Sequence, residues 1–264
     1  MRTHCKKYAI VYTSPLHYPI VHHIQFFSSR LRNIPFFHTF SVQRNSRVCT
    51  KGFELVTDLA LADHLINSGV ARTVTFQLKS HPTFVSDAMT NDLIATVRHY
   101  TSSLGTRYPH CASAGERWTS HLESGRWIAN EDRFWVQPSP MWEMTSSLRS
   151  DMVKRCDLAF VKGDANYRRL LGDRSWDLVS DSFQDVVGSY FPCPVCALRT
   201  LKAEVGCGME GKKVEMAKKI SKDWLVEGRF GVVHYGTGYH AAGATTEEEW
   251  TDEKVLYKEW YPST

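Results

Sequence analysis

Residues 162–168 (Lys-Gly-Asp-Ala-Asn-Tyr-Arg) place several polar side chains where an apolar run gives way to a helical pattern. In open α/β sheets, ligands bind at such strand ends, in the loops that lead into helices. Gly163 permits a tight turn, and Asp164 and Asn166 can hydrogen-bond to the hydroxyls of a polyhydroxy compound. The segment predicts a binding turn, because capping the helix requires fewer polar groups than it carries.

Two acidic segments occur earlier in the chain, each at the start of a predicted helix. Asp87 follows an apolar pair and could ligate a hard cation through oxygen, although capping the next helix is an equally good interpretation. Glu54 and Asp58 lie one turn apart at a helix N-terminus. The helix dipole stabilises acids there without any further role.

Arg199 and Lys202 add two cations near another predicted strand end. Cations beside carboxylates suit a phosphate dianion that a metal ion bridges. On a regular strand these two side chains would point to opposite faces. They can therefore meet one ligand only if the strand ends or bulges between them.

The elements that must position these residues alternate between helix and strand, a pattern typical of an α/β sheet covered by helices. Apolar residues recur at helical spacing from Leu55 to Ile66, and Gly69 follows as a stop signal. The patterns predict helices at 52–68, 90–100 and 145–155 and from 166 onward, and strands at 71–78, 133–136, 156–161, 197–203 and 230–235. Residues 101–132 give no clear assignment, and the tail at 241–264 reads as solvated.

Composition narrows the possible classes of protein. The chain of 264 residues is 42% hydrophobic and 23% charged, as expected for a globular domain, and no apolar run is long enough to span a membrane. Seven irregularly spaced cysteines predict free thiols in a reducing compartment, the cytoplasm. Cys193 and Cys196 have the CxxC spacing of a zinc half-site, but no second pair follows.

The net charge of +4 originates in the first fifty residues, which hold seven Lys or Arg and no acid. The remainder of the chain is slightly acidic, so we expect no basic face for nucleic acid. Segment 1–45 has no sustained period and is predicted to be irregular. It could be a poorly ordered extension, a mitochondrial transit peptide or translated non-coding sequence. The predicted division is 1–45, an α/β domain at 46–240 and the tail.

Four segments occur in an order and at a spacing that resemble a known family. The pattern resembles the damage-control phosphatases of the subfamily marked by Arg-Thr-x-Lys, and it covers about residues 46–236. The segments are 52–58 (Gly-Phe-Glu-Leu-Val-Thr-Asp), 84–87 (Phe-Val-Ser-Asp), 162–170 (Lys-Gly-Asp-Ala-Asn-Tyr-Arg-Arg-Leu) and 199–202 (Arg-Thr-Leu-Lys).

The resemblance implies a Rossmann-like three-layer α/β/α sandwich. It also implies a divalent cation (Mn²⁺, Co²⁺, Ni²⁺ or Mg²⁺) and hydrolysis of phosphate monoesters, including sugar phosphates such as fructose 1-phosphate. It assigns Asp87 to the metal and Lys202 to the phosphate, and groups both with Asp164 as catalytic. Glu54 and Asp58 would lie behind the metal ligands. Substrate contacts are expected from Lys162, Asp164, Asn166, Tyr167, Arg168, Arg199 and Lys202.

The sequence departs from the family at the expected metal ligands. Members carry an Asp-Asn pair just before the Gly-Phe-Glu segment, whereas Cys49 and Thr50 stand here, followed by Lys51. A hydroxyl is a poor ligand and a thiol suits softer metals, so we expect weak metal binding and little turnover. Two alternatives remain, namely a protein-glutamate methyltransferase using S-adenosylmethionine, which some members have been described as, and a non-catalytic remnant that binds sugar phosphate.

Overall fold

The computed structural model describes residues 53–82 and 88–239, together with the backbone of two earlier strands, Ala9–Tyr12 and Leu31–Phe37. Asp87, Cys49, Thr50 and the tail from residue 240 lie outside the described residues. None of the helices in the described part is long and apolar enough to cross a membrane.

In the part of the chain that the structure describes, seven strands form one mixed sheet. The strands are β1 (Ala9–Tyr12), β2 (Leu31–Phe37), β3 (Ala71–Lys79), β4 (Trp127–Asp132), β5 (Ala159–Lys162), β6 (Val195–Thr200) and β7 (Phe230–Gly236). Their order across the sheet is β1-β7-β6-β5-β2-β3-β4. Strands β2 to β6 run parallel to one another, whereas β7 pairs antiparallel with both β6 and β1. The parallel block therefore presents five carboxyl ends at one edge.

Helices cover both faces of this sheet and bury two separate hydrophobic clusters. Alternate residues of β5 show the division, because Ala159 and Val161 belong to one cluster and Phe160 to the other. The helices are α1 (Phe53–Asn67), α2 (Thr90–Thr101), α3 (Pro109–Glu123), α4 (Ser146–Arg155), α5 (Asp164–Leu170) and α6 (Gly211–Ile220). Helices α1, α2 and α3 pack in the cluster of Phe160, and α4, α5 and α6 pack in the cluster of Val161.

This arrangement confirms the predicted α/β class, with a mixed, mostly parallel sheet between two helical layers. Within the segment 1–45, which was predicted to be irregular, the structure describes the two strands β1 and β2, and both join the sheet. Strand β2 lies between β5 and β3, in the interior of the sheet. Central parallel strands are covered on both faces and need not alternate, so a period of two was the wrong signal to expect there.

The prediction of a strand at 133–136 was wrong, because Arg133–Val136 forms a 3₁₀ turn. The Asp132 carboxylate accepts a hydrogen bond from the Phe134 N–H at 2.8 Å and caps this turn. The strand lies just before it, at Trp127–Asp132, within the stretch that the sequence left unassigned. Helices α3 and α6 had no predicted counterpart.

Candidate functional site

Strands β5 and β6 are neighbours, so the loops that follow them meet at the carboxyl edge of the sheet. Lys162 pairs with Leu198 in the register, and the Gly163 N–H donates to the Leu198 carbonyl at 2.9 Å. Gly163 has φ 89°, a conformation that favours glycine, and it turns the chain directly from β5 into α5. This turn places Asp164 beside the end of β6.

An ion pair joins these two loops. The Asp164 carboxylate oxygen Oδ1 accepts from Nε of Arg199 at 2.7 Å, and the Nη2 nitrogen lies at the same distance. The Arg199 side chain is completely buried, whereas that of Asp164 keeps 21% of its surface exposed. Asp164 can therefore still accept a hydrogen bond from the solvent side, while the guanidinium faces the protein interior.

A second ion pair connects the same edge to α1. The Lys162 ammonium donates to Oδ1 of Asp58 at 2.5 Å, and the side chains are 18% and 4% exposed, respectively. Asp58 lies in the second turn of α1, whereas Glu54 in its first turn is exposed. The 52–58 and 162–168 segments therefore do meet in space, through a carboxylate and an ammonium that neutralise each other.

Behind Asp164, aromatic and imidazole side chains surround Arg199. Its guanidinium carbon lies 4.6 Å from the centre of the Tyr167 ring, and the Tyr167 hydroxyl lies 2.9 Å from Nδ1 of His234. Burial and the positive charge of Arg199 lower the pKa of His234 to about 3. Burial raises the pKa of the Tyr167 hydroxyl well above its usual range. Both side chains are therefore neutral near pH 7.

Comparison with known sequences shows which family contains this region. The model of the damage-control phosphatase ARMT1-like domain matches residues 50–217. The chain belongs to the damage-control phosphatase family. It is 35% identical over 188 residues to damage-control phosphatase ARMT1 of Danio rerio, and 35% identical over 190 residues to that of Homo sapiens. Each alignment covers 70% of this chain and 41% of the relative, so the chain spans about two fifths of the length of these relatives.

The damage-control phosphatase motifs differ in how their side chains are used in the structure. Arg168 lies on the surface, where its guanidinium donates to Asp173 at 2.7 and 2.5 Å. Asn166 is 5% exposed, and its amide donates to the Lys162 carbonyl at 3.4 Å, within the turn itself. Lys202 lies beyond the end of β6 and is exposed. Of the residues expected to contact substrate, Asp164 and Lys202 are thus the ones best placed at the surface of this edge.

The expected metal ligands cannot be placed, because Asp87, Cys49 and Thr50 lie outside the described residues. Within residues 53–82 and 88–239, no group of three His, Cys, Asp or Glu side chains could hold a metal ion. Asp58 and Asp164 instead form ion pairs with the side chains of Lys162 and Arg199. The described residues therefore do not fit a metal ion by themselves, and a metal site in this chain would depend on the residues around 49–50 and 87.

The CxxC pair is divided between the two faces of the sheet. Cys193 packs in the cluster of α4 to α6, whereas Cys196 packs against the opposite one. The nearest described thiol to Cys193 is that of Cys156, at 2.9 Å between the sulfur atoms. Two cysteines on opposite faces of the sheet cannot both ligate one zinc ion.

Two buried polar residues at this edge were not predicted to have a special position. His234 lies on β7, after the four motifs, and its side chain is buried. Gln77 lies near the end of β3, where its side-chain oxygen Oε1 accepts from Nδ2 of Asn130 at 2.8 Å and from Nε1 of Trp135 at 3.3 Å. A polar residue inside an apolar strand was the available signal in both cases.

Proposed function

We propose that this chain is a damage-control phosphatase that binds phosphate monoesters at the carboxyl edge of β5 and β6 and hydrolyses them with a divalent metal ion. Sugar phosphates of the fructose 1-phosphate type are the proposed substrates. The observation that carries the proposal is the meeting of Asp164, Arg199 and the Lys202 segment at one sheet edge, inside the region that matches the family.

Each motif residue has a part in this proposal that its surroundings support. The exposed Lys202 neutralises one oxygen of the phosphoryl group. The partly exposed Asp164 accepts a hydrogen bond from a sugar hydroxyl and so orients the substrate. Contacts of Lys162, Asn166, Tyr167 and Arg168 with the substrate stay predictions.

A divalent ion would supply further positive charge to the phosphoryl oxygens. In the proposal Asp87 holds this ion, with Glu54 and Asp58 behind the site. Because Cys49 and Thr50 replace the family's Asp-Asn pair, we expect slow turnover for this chain. The chain would work in the cytoplasm, which agrees with the free thiols of the five described cysteines.

The decisive experiment compares the chain with a variant that restores the pair. Fructose 1-phosphate hydrolysis is measured as released phosphate, with and without added Mn²⁺. We expect low activity in the wild type and an increase of at least tenfold, dependent on Mn²⁺, in the Cys49→Asp/Thr50→Asn variant. Lys202→Ala in that background should abolish the gain, whereas Lys222→Ala serves as a matched control on an exposed lysine outside the site.

Two results would count against the role assigned to the Asp-Asn pair. Family-like turnover by the unaltered chain would show that the Asp-Asn pair is dispensable, and no gain on restoring the pair would remove the assigned metal position. Thermal stabilisation by fructose 1-phosphate without any product in either protein would favour the non-catalytic remnant. Transfer of a labelled methyl group from S-adenosylmethionine to protein carboxylates would favour the methyltransferase alternative.

A further inference from the structure

The Arg199 guanidinium is surrounded by a carboxylate, two backbone carbonyls and an aromatic ring. Nη1 donates to the Val205 carbonyl, Nη2 donates to the Ala203 carbonyl at 3.0 Å, and Asp164 takes the Nε side. The face of the guanidinium lies over the Tyr167 ring. A phosphoryl group could reach this cation only by displacing Asp164 or the backbone carbonyls, which would leave buried polar groups unpaired.

The two carbonyls belong to the segment that carries Lys202. Residues 201–209 follow β6 without regular secondary structure, and Gly206, Cys207, Gly208 and Met209 at its far end are buried. Ala203 and Val205, which accept from Arg199, lie between that buried end and the exposed Lys202. Arg199 thus anchors the segment at its middle. The same guanidinium holds Asp164, which lies on another element.

Three ring side chains, those of Tyr167, His234 and Phe183, support the guanidinium. The Tyr167 hydroxyl binds His234, and the rings of Tyr167 and His234 both contact Phe183, with centroids 6.2 and 5.0 Å from it. His234 lies opposite Ala197 on β6, so the antiparallel β6–β7 pair holds these rings in position. A neutral imidazole adds no charge that would repel Arg199.

We propose that Arg199 is a positioning residue that sets Asp164 and the 201–209 segment relative to each other, and that Tyr167 and His234 hold Arg199 in place. In place of the substrate contacts predicted for Arg199 and Tyr167, this proposal has both buried side chains act on the substrate through Asp164 and Lys202, without touching it. This inference rests on the proposed function for its effect on ligand binding, but its effect on the 201–209 segment can be measured without any ligand.

The first experiment uses hydrogen–deuterium exchange on the chain with no ligand. Arg199→Lys keeps the charge and loses the planar set of donors, so the segment 201–209 should lose its anchor. We expect its amides to exchange at least tenfold faster, while those of α2, on the opposite layer, change less than twofold. Unchanged exchange at 201–209 would overturn the inference, whatever the activity of the protein.

Tyr167→Phe and His234→Gln provide milder variants in case Arg199→Lys does not fold, as thermal unfolding would show. Tyr167→Phe removes the hydroxyl that binds His234, His234→Gln removes the ring that packs on Phe183, and both keep most of the volume. Both should accelerate exchange at 201–209 by a few fold. A uniform increase throughout the domain in both variants would indicate general destabilisation and would contradict a specific positioning role.

The second experiment is a double-mutant cycle on binding of fructose 1-phosphate, measured by calorimetry. Asp164→Asn and Arg199→Lys should each weaken binding about tenfold, and the double variant should be little weaker than either single one, since both remove the same arrangement. Losses that multiply to about a hundredfold would mean that Arg199 contacts the ligand independently. If the wild type does not bind fructose 1-phosphate, the proposed function fails, while the exchange result still decides the positioning role.

Discussion

His234 should make the stability of this domain depend on pH in a way that can be calculated. Its side chain is 1% exposed, and its pKa is lowered from 6.5 to about 3 by burial and by the charge of Arg199. The unfolded chain takes up a proton on this imidazole below pH 6.5, whereas the folded chain does so only near pH 3. Stability is therefore unaffected above pH 6.5 and falls as the pH drops from 6.5 towards 3.

The expected loss follows from the distance between the working pH and the unfolded pKa. At pH 5, about 1.5 units below 6.5, protonation of this imidazole stabilises the unfolded state by about 2 kcal/mol more than at pH 7.5, and the free energy of unfolding falls by that amount. For a domain of this size, that corresponds to a fall in Tm of roughly 4–8 °C. Other groups titrate over the same range, so the measured quantity must be a difference between two proteins.

His234→Gln provides that difference, because glutamine can bond to the Tyr167 hydroxyl but does not titrate. Urea unfolding of both proteins at pH 7.5 and pH 5 gives four free energies of unfolding. The wild type should lose about 2 kcal/mol more than the variant between the two values of pH. Equal losses would show that His234 is protonated in the folded protein or is accessible to water, and would refute the assignment of a neutral imidazole next to Arg199.

Three further substitutions, two of them paired with a control variant, test local packing and ion pairing. Asp58→Ala leaves a largely buried ammonium without its carboxylate and should cost about 3 kcal/mol in urea unfolding, whereas Asp173→Ala, which breaks an exposed pair, should cost less than about 1 kcal/mol. Gly172→Ala adds a Cβ that overlaps the Trp142 ring and should cost about 3 kcal/mol of unfolding free energy. Gly125→Ala is its control, because Gly125 also has a positive φ but faces open space, and should cost about 1 kcal/mol. Asp63→Ala removes the acceptor of a buried imidazole between α1 and α3 and should cost about 2 kcal/mol, with no effect on exchange at 201–209.

The sequence predicted those elements whose pattern is set by local chemistry. Helix α1 has apolar residues at helical spacing and Gly69 after its end, and its observed range agrees closely with the prediction. Helix α3 was missed because its residues alternate small, polar and aromatic side chains over a helix whose buried face includes only Gly115, Trp118 and His121. Strand β2 was missed because its place between two parallel strands is fixed by pairing across the sheet, which no local period records.

For the site, residue type indicated which side chains take part but not what each one faces. The motif 162–168 reads as a set of substrate contacts, yet Tyr167 and Arg199 are buried against each other, and Arg168 pairs on the surface. The direction of each side chain depends on where the strand ends. Strand β6 stops at Thr200, so Arg199 points inward from the strand and Lys202 leaves it in the loop, as the odd spacing between them requires.

The charges of the motif segments then explain why the replaced Asp-Asn pair should matter more than any single lysine. Lys162, Arg168 and Arg199 are each bound to an aspartate, so those three pairs add no net charge for a ligand. Arg169, the remaining arginine of the motifs, donates to the backbone carbonyls of Ser139 and Phe134. In the proposal Lys202 is the basic residue that meets the phosphate dianion, and one ammonium compensates only half of that charge. In the proposal the missing charge comes from the metal ion, so restoring the Asp-Asn pair should raise turnover, whereas converting exposed Glu204 to Lys beside the site should tighten phosphate binding without raising turnover. An equal gain in turnover from both changes, measured as released phosphate at saturating substrate, would show that charge alone limits the reaction.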